Sequence, residues 1–206
     1  MTDVVAEALA LGSATLGESG ARRMQSRIKP AWSGARVAGP VYTVRCSPGD
    51  NLAIHVAVTR APAASVLVAD MGGERDFGYW GEVLTTGAEA GGIAGLVIDA
   101  CVRDADALAA HGFPVFSTGL ALTGASKVQP GAVDRPVTVG DVAVEPGDWI
   151  VGDVDGVVVL PGGQVDDVLA AGRARAAKEE ALFAVLRAGG TTVAEFGLDP
   201  TLVEGA

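Results

Sequence analysis

Between Asp3 and Gly12 apolar residues return every three to four positions, which predicts an amphipathic helix over 3–12. From there to Pro40 glycine, serine and proline interrupt any period, so this segment reads mostly as loop. The chain then changes to short apolar runs: VYTVR (41–45), SVLVAD (65–70), AGLVIDA (94–100) and FPVFS (113–117) predict buried strands. Asn51 is placed to cap a helix through about Thr59, a second helix runs from about Glu82 to Ala90, and DADALAAH (104–111) makes a short third. Strands alternating with helices in this way predict a βαβαβ core with parallel strands. After Lys127 the rhythm changes. PVTVGDVAV, DWIVGD and GVVVLP are short strands joined by turns such as Glu145-Pro146-Gly147-Asp148, and they predict an antiparallel or mixed half. A long helix from about Gln164 to Ala188 closes the chain, with Val165, Val168, Leu169, Leu182, Val185 and Leu186 inside and Arg173, Arg175, Lys178 and Glu180 in water. The expected architecture is α/β, a single three-layer β/β/α domain over 1–206, with no internal repeat and no low-complexity tail.

Composition narrows the function classes. With 25 acidic against 15 basic residues the net charge is −10, which repels a phosphate backbone and argues against nucleic acid as a partner. The first twenty residues lack a basic leader, and no apolar run reaches the roughly 20 residues of a membrane span. Cys46 and Cys101 form no CxxC pair, and so sparse a use of cysteine fits a reducing cytoplasm. GxSxG, GxxxxGK[ST], HExxH and a GxGxxG after a strand are all missing, and two histidines make a Cys/His zinc site a poor expectation. GGIAG (91–95) ends a helix and enters a strand, so its glycines serve chain reversal.

What chemistry remains gathers at Val102-Arg103-Asp104, where an apolar strand gives way to a helix about 20 residues after Gly81-Glu82. Asp104 is a hard oxygen ligand suited to Mg²⁺ or Mn²⁺, and equally an ordinary helix cap. Arg103 offers a planar fork for a carboxylate, keto oxygen or enolate, and equally a surface charge. Gly81 precedes a helix whose first N–H groups can hold a carboxylate, or it is a plain N-cap with Glu82 complementing the dipole. Asp70 is expected to cap a turn, Asp106 to face water, Asp99 to flank the Arg-Asp pair, and Trp80 to pack. His55 and His111 are given no catalytic role.

The stretch GEVLTTGAEAGGIAGLVIDACVRDADAL (81–108) closely resembles the core motif of RraA-like proteins, in the branch of class II pyruvate aldolases acting on 4-hydroxy-4-methyl-2-oxoglutarate. The similarity extends from GARVAGPVYTV (34–44) through VADMGG (68–73) to DVDGVVVLP (153–161). This resemblance implies a swivelling-domain fold assembled as homotrimers or hexamers, with active sites between subunits and a 2-oxo acid as substrate. It implies that Asp104 holds a divalent metal (Mg²⁺ or Mn²⁺), partly through waters, and that Arg103 binds the pyruvoyl oxygen. Glu82 would order a metal-bound water, and Gly81 with the amides of Glu82, Val83 and Leu84 would hold the pyruvate carboxylate. A glutamate of the neighbour's last helix, Glu179 or Glu180, would complete the site. Retro-aldol cleavage and oxaloacetate decarboxylation share one pyruvate enolate, so one site serves both. No Schiff-base lysine is needed, which leaves Lys127 as a surface or substrate-tail contact within a segment (116–130) that shapes the pocket. The resemblance also includes RraA regulators that inhibit an RNA-degrading enzyme without catalysis. These generally lack the carboxylate after the arginine, which this chain retains. Relatives labelled demethylmenaquinone methyltransferases imply an adenosylmethionine loop that this chain lacks.

Overall fold

The computed structural model describes residues 2–205. Helix α1 (Thr2–Gly17) is followed by two short strands, β1 (Arg22–Arg23) and β2 (Lys29–Pro30), and the long β3 (Val37–Arg45). Then come α2 (Leu52–Arg60), β4 (Val66–Asp70), α3 (Glu82–Ala90), β5 (Gly95–Ile98), β6 (Cys101–Val102), α4 (Ala105–His111), β7 (Val115–Ser117) and β8 (Gly119–Leu120). β9 (Ala132–Val133), β10 (Val137–Val139), β11 (Val142–Val144), β12 (Trp149–Gly152) and β13 (Val157–Leu160) lead to α5 (Val165–Arg187) and the short α6 (Thr192–Glu195).

A nine-stranded sheet runs in the order β1, β13, β12, β3, β4, β5, β7, β2, with β9 also paired to β3. β3, β4, β5 and β7 are parallel, and β12 and β13 continue the sheet antiparallel. The strands of this curled sheet are apolar on both faces. Val66, Val68, Val97, Ile150, Val157 and Val159 point into the half-barrel together with Phe116 and Ile28. Leu67, Ala69, Leu96 and Ile98 point outward against α2 and α3. Ala38, Val151, Val158 and Leu160 point outward on the other side, under α1 and α5. Strict alternation along a strand thus feeds three layers.

Three expectations need correction. The first helix does not stop at residue 12: Gly12 kinks it at φ 77° and the helix resumes, because Asp153 accepts from Ser13 N (2.7 Å) and Ser13 Oγ (2.6 Å) and so caps the second piece. The supposed loop to Pro40 contains β1 and β2, and β3 begins four residues earlier than VYTVR, carrying Pro40 opposite Trp149. The apolar stripe of the last helix is buried only at Val168 and Leu169. Leu182 and Leu186 are half-buried and Val185 is exposed, because the helix outruns the sheet that covers its first turns.

Candidate active site

Arg103 and Asp104 follow β6, whose parallel pairing with β8 and whose flanking bonds fix the backbone here. Arg103 N donates to Trp80 O (2.8 Å), and Ala121 N donates to Val102 O (3.0 Å). The arginine is therefore clasped between the loop before α3 and the loop after β8. Glycine makes that closeness possible: a Cβ on Gly78 would lie 2.5 Å from Ala121 O and 3.0 Å from Arg103 Cδ, and one on Gly81 would lie 2.3 Å from Asp104 Oδ2.

Asp104 stands at the N-cap of α4, but it does not cap that helix. Its backbone is left-handed (φ 59°, ψ 37°), a state that costs a non-glycine residue about 1 kcal/mol. Its Oδ2 instead reaches across to accept from Glu82 N (3.1 Å), the first N–H of α3, and lies 3.7 Å from Arg103 Nε. Among the described residues nothing donates to Asp104 Oδ1. Both side chains are about half exposed, at 44% for Arg103 and 42% for Asp104. The first turn of α3 leaves the N–H groups of Val83 and Leu84 without an intrahelical acceptor. The helix itself is anchored by buried Leu84 and by the Trp80 indole, which donates to Thr85 Oγ1 (2.7 Å) and stacks on Phe113.

These groups border a cavity of about 250 Å³. Gly81, Val83, Leu84, Arg103 and Asp104 line it, together with Asn51, His55, Gly124, Ala125 and Lys127. Asn51 does not cap α2 with its side chain, as the sequence suggested. Its Nδ2 donates to Tyr79 O (2.8 Å), while Asp50 Oδ1 takes the Leu52 N–H (2.8 Å). That leaves two buried polar atoms in the cavity wall, Asn51 Oδ1 and His55 Nε2, without a hydrogen-bond partner among the described residues. Burial, and next the charge of Lys127, lower the His55 pKa from its ordinary value, so the ring is neutral at neutral pH.

Other predicted residues lie apart from this cavity. Glu82 is not in its lining; the carboxylate turns toward His111 Nε2 (3.7 Å), and His111 Nδ1 meets Glu89 Oε2 (2.8 Å). Asp70 takes Gly72 N (2.9 Å), the expected turn cap, and Asp106 is exposed. Asp99 is a buried structural anion held by Arg27, Arg75 and Gly140 N; burial raises its pKa, but these donors outweigh that and keep it well below the usual carboxylate range. Glu179 and Glu180 pair with Arg175 and Arg187 on α5, and a single chain does not bring them to the cavity. Sequence reasoning missed Asn51 and His55 as cavity residues. A polar residue at each of two positions four apart on the first turn of a helix was the available signal.

The sequence profile of the RraA-like family (Aldolase/RraA) matches residues 2–159. The chain belongs to that family. It is 38% identical over 162 residues to a Halalkalibacterium halodurans protein named "Putative 4-hydroxy-4-methyl-2-oxoglutarate aldolase", covering 79% of this chain and 77% of that one. Its fold superposes on an uncharacterized protein from Pseudomonas syringae pv. tomato with a TM-score of 0.84 at 30% identity, covering 93% and 91% of the two chains. It also matches the RNA-processing inhibitor RraA from Thermus thermophilis with a TM-score of 0.63 at 30% identity, over 69% of this chain and 86% of that one. The α/β fold expected from the sequence is thus an RraA fold. No helix of this RraA-like chain among the described residues is long and apolar enough to cross a membrane.

Proposed function

We propose that this RraA-like protein is a divalent-metal-dependent aldolase that cleaves 4-hydroxy-4-methyl-2-oxoglutarate-type substrates to pyruvate, with oxaloacetate decarboxylation as a side reaction. The observation that carries the reading is the free Asp104 oxygen beside Arg103 and the unbonded N–H groups of α3, at the edge of one cavity. Those groups match the three oxygens of a 2-oxo acid.

The donor set also fits a hard cation. Among the described residues no three His, Cys, Asp or Glu side chains converge as a protein cage. A single half-exposed carboxylate is what Mg²⁺ or Mn²⁺ uses when water and substrate fill its other positions. Asp104 would hold it, and Gly81 keeps the space beside that carboxylate clear of a side chain. When bound, the cation supplies Lewis acidity toward a chelated 2-oxo acid.

The chain's own groups do the rest. Val83 N and Leu84 N take the substrate carboxylate at the positive end of α3. Arg103 donates to the keto oxygen at C2. The C4 hydroxyl gives its proton to solvent water and becomes the carbonyl of a departing pyruvate as the C3–C4 bond breaks; that electron pair forms C2=C3 and the C2 carbonyl pair moves to its oxygen, where Arg103 stabilises the enolate charge. Protonation at C3 then gives pyruvate. Oxaloacetate loses CO₂ through the same enolate. Assembly as a trimer or hexamer would let Glu179 or Glu180 of a neighbouring copy approach the site.

Pyruvate release from 4-hydroxy-4-methyl-2-oxoglutarate and from oxaloacetate, with Mg²⁺ or Mn²⁺ and then with chelator, tests the reading. Metal-dependent release that Arg103→Ala abolishes is the expected result. A folded protein that releases none from either substrate would overturn it and favour the regulator role named for the Thermus RraA.

A further inference from the structure

Asp50 is a buried carboxylate that the steps above do not use, at 1% exposure. Its Oδ2 accepts from Ser126 Oγ (2.6 Å), Val128 N (2.6 Å) and Gln129 N (3.0 Å), and its Oδ1 accepts from Leu52 N (2.8 Å). Burial pushes its pKa up, yet these four donors outweigh burial and hold the group well below the usual carboxylate range, so it is an anion at neutral pH. Three of the four donors belong to residues 126–129, and the backbone repeats the link through Ser126 N to Gly49 O (2.8 Å) and Asn51 N to Ser126 O (2.9 Å).

That segment and the two residues before it carry Gly124, Ala125 and Lys127, which line the cavity, and a Cβ on Gly124 would lie 3.6 Å from Arg103 Nη1. Asn51 Oδ1 and His55 Nε2, buried and without a hydrogen-bond partner among the described residues, belong to the turn that Asp50 ties to it. Asp50 bonds neither Arg103 nor Asp104 nor the first turn of α3.

We propose that Asp50 is a positioning residue for specificity: it staples the 124–129 wall to the start of α2 and so shapes the space for the substrate half beyond the pyruvoyl unit. This inference rests on the aldolase reading. Asp50 bonds no group of the pyruvoyl end directly, and only Gly124 of the wall neighbours Arg103 Nη1, so loss of the staple is expected to weaken cleavage more than enolate formation.

Both carboxylate oxygens face donors. In Asp50→Asn the amide NH₂ therefore meets an N–H or O–H whichever way it turns, and the staple opens. Ser126→Ala removes one donor with no such opposition, and it carries the test should Asp50→Asn fail to fold. With Mg²⁺ present, two reactions are followed. Exchange of the pyruvate methyl protons for deuterium needs only the enolate; cleavage of 4-hydroxy-4-methyl-2-oxoglutarate needs the whole cavity.

The expected result is a fall of at least about tenfold in kcat/KM for cleavage by Asp50→Asn and about threefold by Ser126→Ala, expressed mainly in KM, with exchange held within about twofold. A parallel fall in both reactions, or unchanged cleavage, would overturn the role of Asp50 while leaving the aldolase reading in place. A wild-type protein without metal-dependent exchange or cleavage would overturn both.

Discussion

Asp104 shows how a residue can sit at a helix start without serving the helix. Its left-handed backbone is a strain that aspartate and asparagine tolerate better than other side chains, and its carboxylate is turned away from α4 toward Glu82 N and the cavity. Asp104→Asn keeps both that tolerance and an acceptor for Glu82 N. The variant should melt within about 2 °C of the wild type and lose metal-dependent pyruvate release by about 100-fold or more, measured by calorimetry and coupled assay. In the proposed aldolase Arg103 would donate where charge appears only as the bond breaks, so Arg103→Ala should lower kcat far more than it raises KM, and Arg103→Lys, a point charge without the fork, should recover little. His55 makes a different prediction. Its folded pKa is depressed, so the unfolded chain binds the extra proton first; the stability it contributes is complete above about pH 6.5 and is lost as pH falls toward the folded value. Urea midpoints should therefore fall more steeply below about pH 6.5 for the wild type than for His55→Gln.

The elements around the site place these side chains through glycine. α3 begins where Gly81 brings its N–H groups against Asp104, so Gly81→Ala forces a Cβ into a carboxylate oxygen 2.3 Å away. Gly81 is extended at φ −167°, where alanine meets no backbone penalty, and the cost falls on the site. Turnover should drop by about tenfold or more while the far-ultraviolet circular dichroism stays unchanged. Much of this arrangement was legible: short continuous apolar runs alternating with helices gave the parallel strands, and the Gly-Glu and Arg-Asp pairs sit at strand-to-helix turns as expected. What was not legible depends on long-range partners. The resumption of α1 after Gly12 needs Asp153, 140 residues away. The cavity roles of Asn51 and His55 need the loop around Ala125, which carries no period of its own. β6 and β8 are two residues each and exist only as a pair, so no local pattern announces them.

Among the described residues the far part of α5 leaves an apolar surface uncovered. α5 is held to α1 and the sheet through Val168, Leu169 and Gly172, where the missing side chain lets Leu11 and Leu16 approach. Beyond Arg175 the helix runs past the sheet, and with α6 it borders an open cavity of about 610 Å³ lined by Leu182, Phe183, Leu186 and Phe196. Phe183, Val185, Val193 and Phe196 are exposed, on a chain whose net charge of −10 otherwise favours water. A contiguous patch of that kind is unusual on an isolated chain and usual at an interface. Glu179, paired to Arg175, lines this same cavity and not the one bordered by Arg103 and Asp104. A trimer or hexamer that covers this surface would also carry that carboxylate to a neighbour. Light scattering should therefore give the mass of a trimer or hexamer, and Phe183→Glu should shift it toward a single chain with helix content preserved and pyruvate release lost in proportion. A single chain that turned over at the full wild-type rate would show that each site is complete by itself.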